Sequence, residues 1–349
     1  MFQRKRILIS YTGSFPTAYD LRDAFLRKGL DVELFLASDY DNAFYNRTFK
    51  IVNRILRNFR VVKKGHDVFA KHPMNRLNVF AENYKLMYQY FRPDYVLFIH
   101  GNSFGNNVLS TIRVPKIGWW VEHDDIPIDR IRGFATPFDI YASIAANVAE
   151  RLKQGGLQTT YLCHAADPLR FYPTPDVALV YDVAFVGNWS PWRESVITRA
   201  LDVTKNIALV GPNWRRKGRL PKERLDSIYK GEWIAGKDLN ALYNASRIVL
   251  NAARVFGSSG LNMRCFEVPA ARGCLLTDAA PELDLHFTRG EHLCVYASLD
   301  EVEQQVVSLL SENRTREHIR DMGYRNVIEN HTYDHLAARI MDLFDRIRN

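Results

Sequence analysis

The stretch VFGSSGLNMRCFEVPAARGCLLTD, from Val255 to Asp278, has the pattern of a loop, a short helix and a buried strand. Residues 265–271 predict the helix, which ends at Gly273, and residues 274–277 predict the strand. A glycine-rich approach to a helix presents backbone N–H groups at the positive end of the helix dipole. The turn therefore predicts a phosphate site, with an ordinary loop-to-helix turn of the same composition as the alternative.

Two charged side chains of this helix extend the prediction. Arg264 supplies a planar cation beside the loop, and Glu267 follows three residues later on the same side of the helix. A guanidinium suits anionic oxygens, and a carboxylate suits hydroxyl groups that donate hydrogen bonds. The pair favours a nucleotide sugar with its ribose diol at Glu267, against the alternative of a solvated ion pair on a helix surface.

Length and composition limit the class of protein. A chain of 349 residues can form two domains, each with its own core. No apolar run is long enough to span a bilayer, and the first ten residues, MFQRKRILIS, predict a first strand rather than a signal sequence. The 4 cysteines have neither metal-ligand nor redox spacing, which favours reduced core thiols in a cytoplasmic protein. The net charge of +8 favours an anionic partner, which could be a nucleotide, a phospholipid surface, a phosphorylated acceptor or a nucleic acid.

The first half of the chain alternates strands and helices. A strand from Ile7 to Tyr11 leads to Gly13, and Thr17 with Asp20 resembles a capping box at the start of a helix. Such alternation predicts a parallel sheet that binds its ligand at the carboxyl ends of the strands. Gly13 would lie at that edge.

The segment RTFKIVNRILRNFRVVKKG, residues 47–65, predicts a basic amphipathic helix. Val52, Ile55, Leu56 and Phe59 share one face, so an ordinary helix packed on the sheet is the first interpretation. The second is docking to an anionic lipid surface or a phosphorylated acceptor. The basic residues that would serve such docking are Lys50, Arg54 and Arg57. The aromatic residues between positions 80 and 91 are predicted to be core.

A polar cluster ends the strand in VPKIGWWVEHDD, residues 114–125. His123, Asp124 and Asp125 would lie at the ligand edge of the sheet. They could form a metal site, a general base or a capped turn before Pro127, and the sequence favours function and turn chemistry equally. The proline-rich segment HAADPLRFYPTPD, residues 164–176, then predicts an interdomain linker.

The second half repeats the pattern of the first. In YDVAFVGNWSPWRES, residues 181–195, a strand meets Gly187 and Asn188, and a helix that begins at Ser190 carries Arg193. This is a second anion contact or an ordinary turn between a strand and a helix. The alternation continues to the opening stretch, and three helices end the chain, the first with a capping box from Ser298 to Glu301.

Taken together, the chain resembles the glycosyltransferases with two Rossmann-like domains, the GT-B fold, especially family 4 and the spore-maturation CgeB-like group. The likeness covers nearly the whole chain and is most specific in DLNALYNASRIVLNAAR, residues 238–254, and SSGLNMRCFEVPAARGCLLTD, residues 258–278. It implies an α/β fold with Rossmann-like domains at 1–168 and 181–332, joined by a linker at 169–180. The final helix, 333–349, would pack back on the first domain.

The resemblance also implies roles at the donor site. The backbone at Trp233 and Ile234 would hold the base, Glu267 the ribose and Arg264 the diphosphate. The other implied donor contacts are Gly13, Gly187, Asn188, Arg193, Ser259, Gly260, Leu261 and Asn262. Family 4 members commonly carry two glutamates separated by seven residues; Glu267 matches the second, and Ser259 stands at the position of the first.

The implied reaction moves a sugar from a nucleoside-diphosphate donor, a UDP-sugar, to a glycan, a lipid-linked acceptor or a protein, with retention. His123 would contact the donor sugar, and Asp125 would be the base if the enzyme inverts. We expect no cofactor and no metal, because arginines and helix dipoles would stabilise the leaving diphosphate. The chain would be cytoplasmic or lie peripherally at the inner face of the membrane.

Two other functions remain open at this point. Phage-type DNA-base glycosyltransferases share the architecture, and the basic helix could follow the phosphates of DNA. A non-catalytic sugar-nucleotide-binding protein is the alternative of another class, which Ser259 favours.

Overall fold

Apolar strand segments that are buried on both faces make up the centre of each half of the molecule. The computed structural model describes residues 4–11, 16–63, 65–102, 104–122 and 126–348. Within these ranges the chain forms two parallel sheets of 6 strands each. In the first strand Ile7 and Ile9 belong to one core cluster and Leu8 to another, so both faces of the sheet are covered. The predicted α/β fold of two Rossmann-like units is confirmed.

The first sheet has the order β2-β1-β3-β4-β5-β6. Its strands are β1 (Arg6–Tyr11), β2 (Asp31–Leu36), β3 (Tyr95–Ile99), β4 (Lys116–Trp120), β5 (Ile140–Ser143) and β6 (Thr159–Tyr161). Its helices are α1 (Thr17–Arg27), α2 (Ala43–Asn58), α3 (Arg76–Phe91), α4 (Asn106–Leu109), α5 (Ile128–Ala135) and α6 (Ala146–Gln154), and a 3₁₀ turn covers Ala37–Tyr40. The strand order reverses between β1 and β3, which opens a crevice at their carboxyl ends.

The second sheet has the order β12-β11-β10-β7-β8-β9. Its strands are β7 (Tyr181–Val186), β8 (Ile207–Val210), β9 (Tyr229–Gly231), β10 (Ser246–Asn251), β11 (Leu275–Asp278) and β12 (Cys294–Tyr296). The helices of this half are α7 (Pro191–Val203), α8 (Trp214–Lys217), α9 (Lys222–Ile228), α10 (Gly236–Asn244), α11 (Arg264–Ala270), α12 (Leu299–Ser311), α13 (Asn313–Asn330) and α14 (Tyr333–Arg348), with a 3₁₀ turn at Leu283–Leu285. The strand order reverses between β7 and β10, which opens a second crevice at the carboxyl ends of these two strands. The two predicted anion-binding segments follow β7 and β10, one on each side of this crevice.

The chain crosses between the two halves twice, first near Ala166 and again near His331, and backbone hydrogen bonds join the two crossings. The backbone N–H of Ala166 donates to the carbonyl of His331 at 2.9 Å, and the N–H of Tyr333 donates to the carbonyl of Ala166 at 3.0 Å. Helix α14 then packs against α1, and its residues Leu336 and Ile340 join the core of the first sheet. The predicted return of the last helix to the first half is confirmed, whereas the exact domain boundaries at 168, 180 and 332 stay predictions.

The predicted linker is anchored to the second half. The ring of Phe171 is buried beside Tyr243 of α10, with ring centroids 6.0 Å apart. Farther along, the N–H of Tyr172 donates to the side-chain oxygen of Asn240 at 3.1 Å, and that of Thr174 donates to the side-chain oxygen of Asn244 at 2.7 Å. Residues 171–174 of the segment are therefore attached to α10 of the second half.

Three local predictions differ from the structure. Helix α1 starts after Pro16 with no side-chain cap, so the capping box of Thr17 and Asp20 is wrong. The Asp20 carboxylate instead accepts a hydrogen bond from Arg170 Nη2 at 2.5 Å. The aromatic run is only partly core, since Tyr90 is 90% exposed.

The basic helix α2 is the third difference. On its buried face, the ring of Phe49 stacks on that of Phe69 with centroids 4.2 Å apart. Asn53 Nδ2 on the same face donates a hydrogen bond to Asp67 Oδ1 at 2.7 Å. This face packs on the segment from 67 to 72. Ile55 and Phe59, which the sequence suggested for the core, are 47% and 77% exposed.

Candidate functional site

A cleft of about 470 Å³ lies between the carboxyl ends of the two sheets. Tyr11 at the end of β1 and Val121 after β4 line one wall, and Asn188 after β7 lines the other. The charged residues that line it are Glu122, Arg193, Lys217, Arg254 and Arg264. Because cations outnumber carboxylates among the described lining residues, the cleft attracts anions.

Arg193 and Arg264 converge on Gly187. A methyl group built at Gly187 would lie 3.3 Å from Arg193 Nη1 and 3.4 Å from Arg264 Nη2, so the glycine leaves the space between both guanidiniums open. Ser190 caps α7 by accepting from the N–H of Arg193, whose Nε and Nη1 donate to the carbonyls of Ala252 at 3.0 Å and Asn188 at 2.9 Å. Two cations so close together in a buried place favour binding of a polyanion such as a diphosphate.

The electrostatics at Arg193 support this reading. Burial, together with the neighbouring charge of Arg264, lowers the pKa of Arg193 to about 9, and Asp278 acts in the opposite direction. The protein itself therefore leaves the positive charge at this position incompletely compensated. A bound anion would supply the missing compensation.

The N-terminus of α11 differs from the prediction. The N–H of Arg264 donates to Asn262 Oδ1 at 3.1 Å, and the N–H groups of Cys265 and Phe266 donate to the carbonyls of Asn262 and Met263. The expected free backbone donors are thus already used, one by the Asn262 side chain and the others by the carbonyls of Asn262 and Met263. The Arg264 side chain still reaches the cleft, where Nη1 also donates to Asn251 Oδ1 at 3.4 Å.

A second cavity, of about 150 Å³, adjoins the cleft and shares Asn188, Met263 and Arg264 with it. The loop between β9 and α10 forms one side of this cavity with Trp233 and Ile234. The Trp233 side chain is 72% exposed, so a planar base seated here could cover it. Gly187, Asn188, Trp233, Ile234, Arg264 and Glu267, predicted from sequence, all line this cavity.

Glu267 is the buried acid of the smaller cavity. It is 8% exposed, and no hydrogen bond or ion pair joins its carboxylate to another described residue. Burial raises the pKa of Glu267 to about 7, against the opposing charges of Arg264 and Arg170. A buried carboxylate with no protein donor is suited to hydroxyl groups of a ligand.

The loop before α11 lies behind the cleft. The Ser259 hydroxyl and the Gly260 N–H donate to the carboxylate of Glu282, which is 1% exposed and also accepts from the N–H of Ala146 at the start of α6. Leu261 is buried in the core beside Phe266. None of these three predicted residues, Ser259, Gly260 and Leu261, is among the described residues that line the two cavities.

Three predicted site residues, Gly13, His123 and Asp125, lie outside the described residues. Their described neighbours, Tyr11 and Glu122, line the cleft, and Glu122 Oε1 lies 3.4 Å from His100 Nε2. Lys50, Arg54 and Arg57 lie on the exposed side of α2 and are not among the described lining residues.

Sequence reasoning missed two groups of residues that connect the halves. Arg170 lines the second cavity and forms an ion pair with Asp20 of α1. Burial raises the pKa of Asp20 to about 8, although the positive charge of Arg170 acts to lower it. Glu282 joins α6 to the loop at Ser259. Arg170 stands in the predicted linker, two residues after Pro168, so a charged residue in that linker was the available signal; Glu282 gave none.

Comparison with known proteins adds to this geometry. Residues 192–342 match the family model described as "Glycosyl transferase-like". The matched segment contains Arg193, Arg264 and Glu267. No curated protein sequence matches the chain.

Several solved structures share the whole fold. The chain is similar to a sucrose-phosphate synthase from Thermosynechococcus elongatus, with a TM-score of 0.70, 11% identity and 99% of each chain covered. It is similar to Anabaena HepE in complex with UDP-glucose, with a TM-score of 0.69, 12% identity and coverage of 98% of this chain and 99% of that chain. A glycosyltransferase from Rickettsia africae has a TM-score of 0.68 at 10% identity, with 100% of both chains covered. The chain therefore has the two-domain GT-B fold of these structures, and its residues 192–342 are similar to glycosyltransferases.

None of the helices in the described ranges has the length and apolar character needed to span a bilayer.

Proposed function

We propose that the protein transfers a sugar from a UDP-sugar to a glycan, lipid-linked or protein acceptor, with retention and without a metal, as a member of the CgeB-like group. One observation carries the proposal: the paired guanidiniums of Arg193 and Arg264 adjoin a cavity that contains the unpartnered carboxylate of Glu267. A pair of cations beside a cavity that also holds an acid suits a nucleoside diphosphate, with diphosphate at the arginines and ribose at Glu267. The Anabaena HepE structures, which contain UDP or UDP-glucose, support the choice of donor.

Each described residue then has a chemical task. The loop at Trp233 and Ile234 binds the base, and Glu267 accepts hydrogen bonds from the ribose. When the bond between the sugar and the diphosphate breaks, negative charge grows on the leaving group, and Arg193 and Arg264 stabilise it. Because these two cations supply that charge, we propose that no metal takes part in the transfer. His123 at the donor sugar, and Asp125 as a base in the case of inversion, remain proposals.

The direct test is a panel of UDP-, GDP- and ADP-sugars incubated with the protein. We expect release of UDP from one UDP-sugar, and analysis of the product linkage will show whether the anomeric configuration is retained. UDP binding without release of nucleoside diphosphate from any donor, with glycan, lipid-linked and protein acceptors present, would instead support a non-catalytic sugar-nucleotide-binding protein. Absence of nucleotide binding would contradict both.

The raised pKa of Glu267 makes nucleotide affinity depend on pH. Below about pH 7 the free protein holds this acid neutral, and a neutral carboxyl is a poorer acceptor for two ribose hydroxyls. UDP affinity should therefore rise with pH through about 7 and fall by up to about tenfold per pH unit well below it. Calorimetric titrations with UDP at pH 6 and pH 8 measure the effect.

Glu267→Gln is the matched control for that titration, because it keeps the size of the side chain and removes its ionisation. The variant should bind UDP more weakly at pH 8, and its remaining pH dependence reports protonation of the nucleotide phosphate and of groups other than residue 267, such as Asp20. A wild-type profile that coincides with that of the variant would contradict the ribose assignment.

One specific observation favours an anionic membrane surface as a partner. On α2 and just after it, Phe44 and Phe59 are 72% and 77% exposed, beside Ile51 and Ile55 at 43% and 47%. The exposed basic residues next to this apolar stripe are Lys50, Arg54 and Arg57. An apolar stripe flanked by basic residues is typical of helices that lie in the membrane interface, which would bring the cleft to a lipid-linked acceptor.

Vesicle binding tests this second proposal. The wild type should bind phosphatidylserine vesicles, and replacing all three basic residues of α2 by glutamine should weaken binding by roughly 100-fold, at about 1 kcal/mol per charge. A triple variant of Lys222, Arg224 and Arg314, which are exposed on the second half, is the matched control and should bind like the wild type. Salt-dependent binding to duplex DNA without vesicle binding would favour the phage-type DNA-base enzyme instead.

A further inference from the structure

Three potential metal ligands meet where the chain crosses between the two halves. Cys163 follows β6, His286 follows the 3₁₀ turn at Leu283–Leu285, and His331 ends α13. One ligand atom from each lies within 4.8 Å of those of the other two. Cys163 and His331 also flank the paired backbone of Ala166, so the cluster sits at the double crossing itself. None of the three is among the described residues that line the cleft or the second cavity.

The chemistry of these side chains suits a soft divalent cation. His331 is 7% exposed, and its Nδ1 has no hydrogen-bond partner in the described structure. Burial and the charge of Arg339 lower the pKa of His286 to about 4, and burial, His286 and Arg339 lower that of His331 to about 4. Both imidazoles are therefore neutral at neutral pH and keep a lone pair for a metal. An orphaned imidazole nitrogen beside a thiol is costly unless something binds it.

We propose that Cys163, His286 and His331 bind one structural zinc ion. One thiolate and two imidazoles are a usual zinc ligand set, and zinc prefers four tetrahedral ligands. The Tyr161 hydroxyl is hydrogen-bonded to His286 Nε2 at 2.8 Å, so His286 would bind the ion through Nδ1, with Tyr161 orienting its ring and a water molecule as the fourth ligand. Binding releases the thiol proton of Cys163, so the thiolate is formed by the metal.

The geometry needs only a small inward movement. Ligand atoms bound to zinc at about 2.0–2.3 Å lie roughly 3.3–3.8 Å apart, so side chains within 4.8 Å of each other must close by about 1 Å. The ring of Phe266, next to Glu267 on α11, packs against His286 and His331 with centroids 6.0 Å and 5.6 Å away. The ion would thus fix the crossing and support the helix that carries Glu267, without entering the donor cleft.

Among the residues that the structure describes, Arg339 places an unfavourable charge at the cluster. Its Nη1 lies 3.7 Å from Cys163 Sγ, and as a cation it opposes a divalent ion. The residue is exposed, so its guanidinium can turn into solvent when the metal binds. The proposal therefore predicts that Arg339→Gln binds zinc more tightly, by about fivefold. A cluster with a purely packing role gives no reason for this gain.

Metal content of the purified full-length chain tests the proposal. After addition of zinc and dialysis, the wild type should retain about one zinc ion per chain, and cobalt should give a thiolate-to-metal charge-transfer band. Cys163→Ser and His331→Gln should each lose the ion, and Cys163→Ser should lose the band. Cys294→Ser, another buried free cysteine, and His318→Gln, an exposed histidine, are the matched controls and should bind like the wild type.

Two results would overturn the proposal. One is a wild-type chain that retains no zinc above the level of a metal-free blank protein; the other is equal zinc retention by Cys163→Ser and His331→Gln. If one variant fails to fold, the cobalt spectrum of the wild type and the affinity of Arg339→Gln still decide the question. None of these measurements requires transferase activity, so the outcome is independent of the proposed donor and acceptor.

Discussion

Replacing Arg264 with alanine is expected to lower kcat by about 100- to 1000-fold, which corresponds to about 2.7–4 kcal/mol of lost transition-state stabilisation. The guanidinium lies beside Gly187 and faces both cavities, where the leaving diphosphate is proposed to bind. Its charge acts more strongly as the phosphate oxygens gain charge, so kcat should fall more than the donor KM rises. Steady-state kinetics with the UDP-sugar found in the panel measure both constants.

Two further variants separate charge from shape and from general surface effects. Arg264→Lys keeps the cation but loses the planar pair of donors, so we expect activity between those of the wild type and Arg264→Ala. Arg216→Ala removes an exposed arginine on α8 that bonds Asn213 and should leave kcat unchanged. Near-normal kcat in a folded Arg264→Ala protein would contradict the leaving-group role.

The parts of the site that depend on local pattern could be predicted from sequence. Gly187 and Arg193 follow a strand and open a helix, and Arg264 with Glu267 occupies one side of a short helix, so spacing alone placed each pair. The fold class followed from the same alternation of strands and helices. What the pattern could not show was that the Asn262 side chain accepts a hydrogen bond from the Arg264 N–H, because an asparagine that bonds the backbone and one that binds a ligand look alike in sequence.

Contacts between distant segments were beyond the reach of sequence spacing. Glu282 meets Ala146 across 136 positions, and nothing near Glu282 in the chain indicates that its carboxylate is buried. The cluster of Cys163, His286 and His331 shows the same limit, since its members come from three segments and have no motif spacing. The apolar residues of α2 were assigned to the core because a helical period shows which residues share a face, but not which face meets the protein.

Gly211→Ala is expected to have the largest effect on stability. Gly211 follows β8 with φ of +150°, and a methyl group there would lie 1.9 Å from the carbonyl oxygen of Gly187. That oxygen accepts a hydrogen bond from Trp214 Nε1 at 2.8 Å, so the backbone of Gly187 cannot move away without losing it. Backbone strain and overpacking of about 2 kcal/mol each give about 4 kcal/mol in total.

Gly231→Ala is a matched control, because Gly231 has nearly the same φ, +147°, and nothing within 4 Å of the added methyl group. Gly231→Ala should lower the free energy of unfolding by only the backbone strain, about 2 kcal/mol. The difference in stability between the two variants therefore isolates the contact with Gly187. Thermal unfolding measures both changes. Since Gly187 lies beside both Arg193 and Arg264, Gly211→Ala should also weaken UDP binding, whereas Gly231→Ala should weaken it less. Equal losses of stability in the two variants would contradict the expected overpacking against Gly187 and would leave backbone strain as the whole cost of Gly211→Ala.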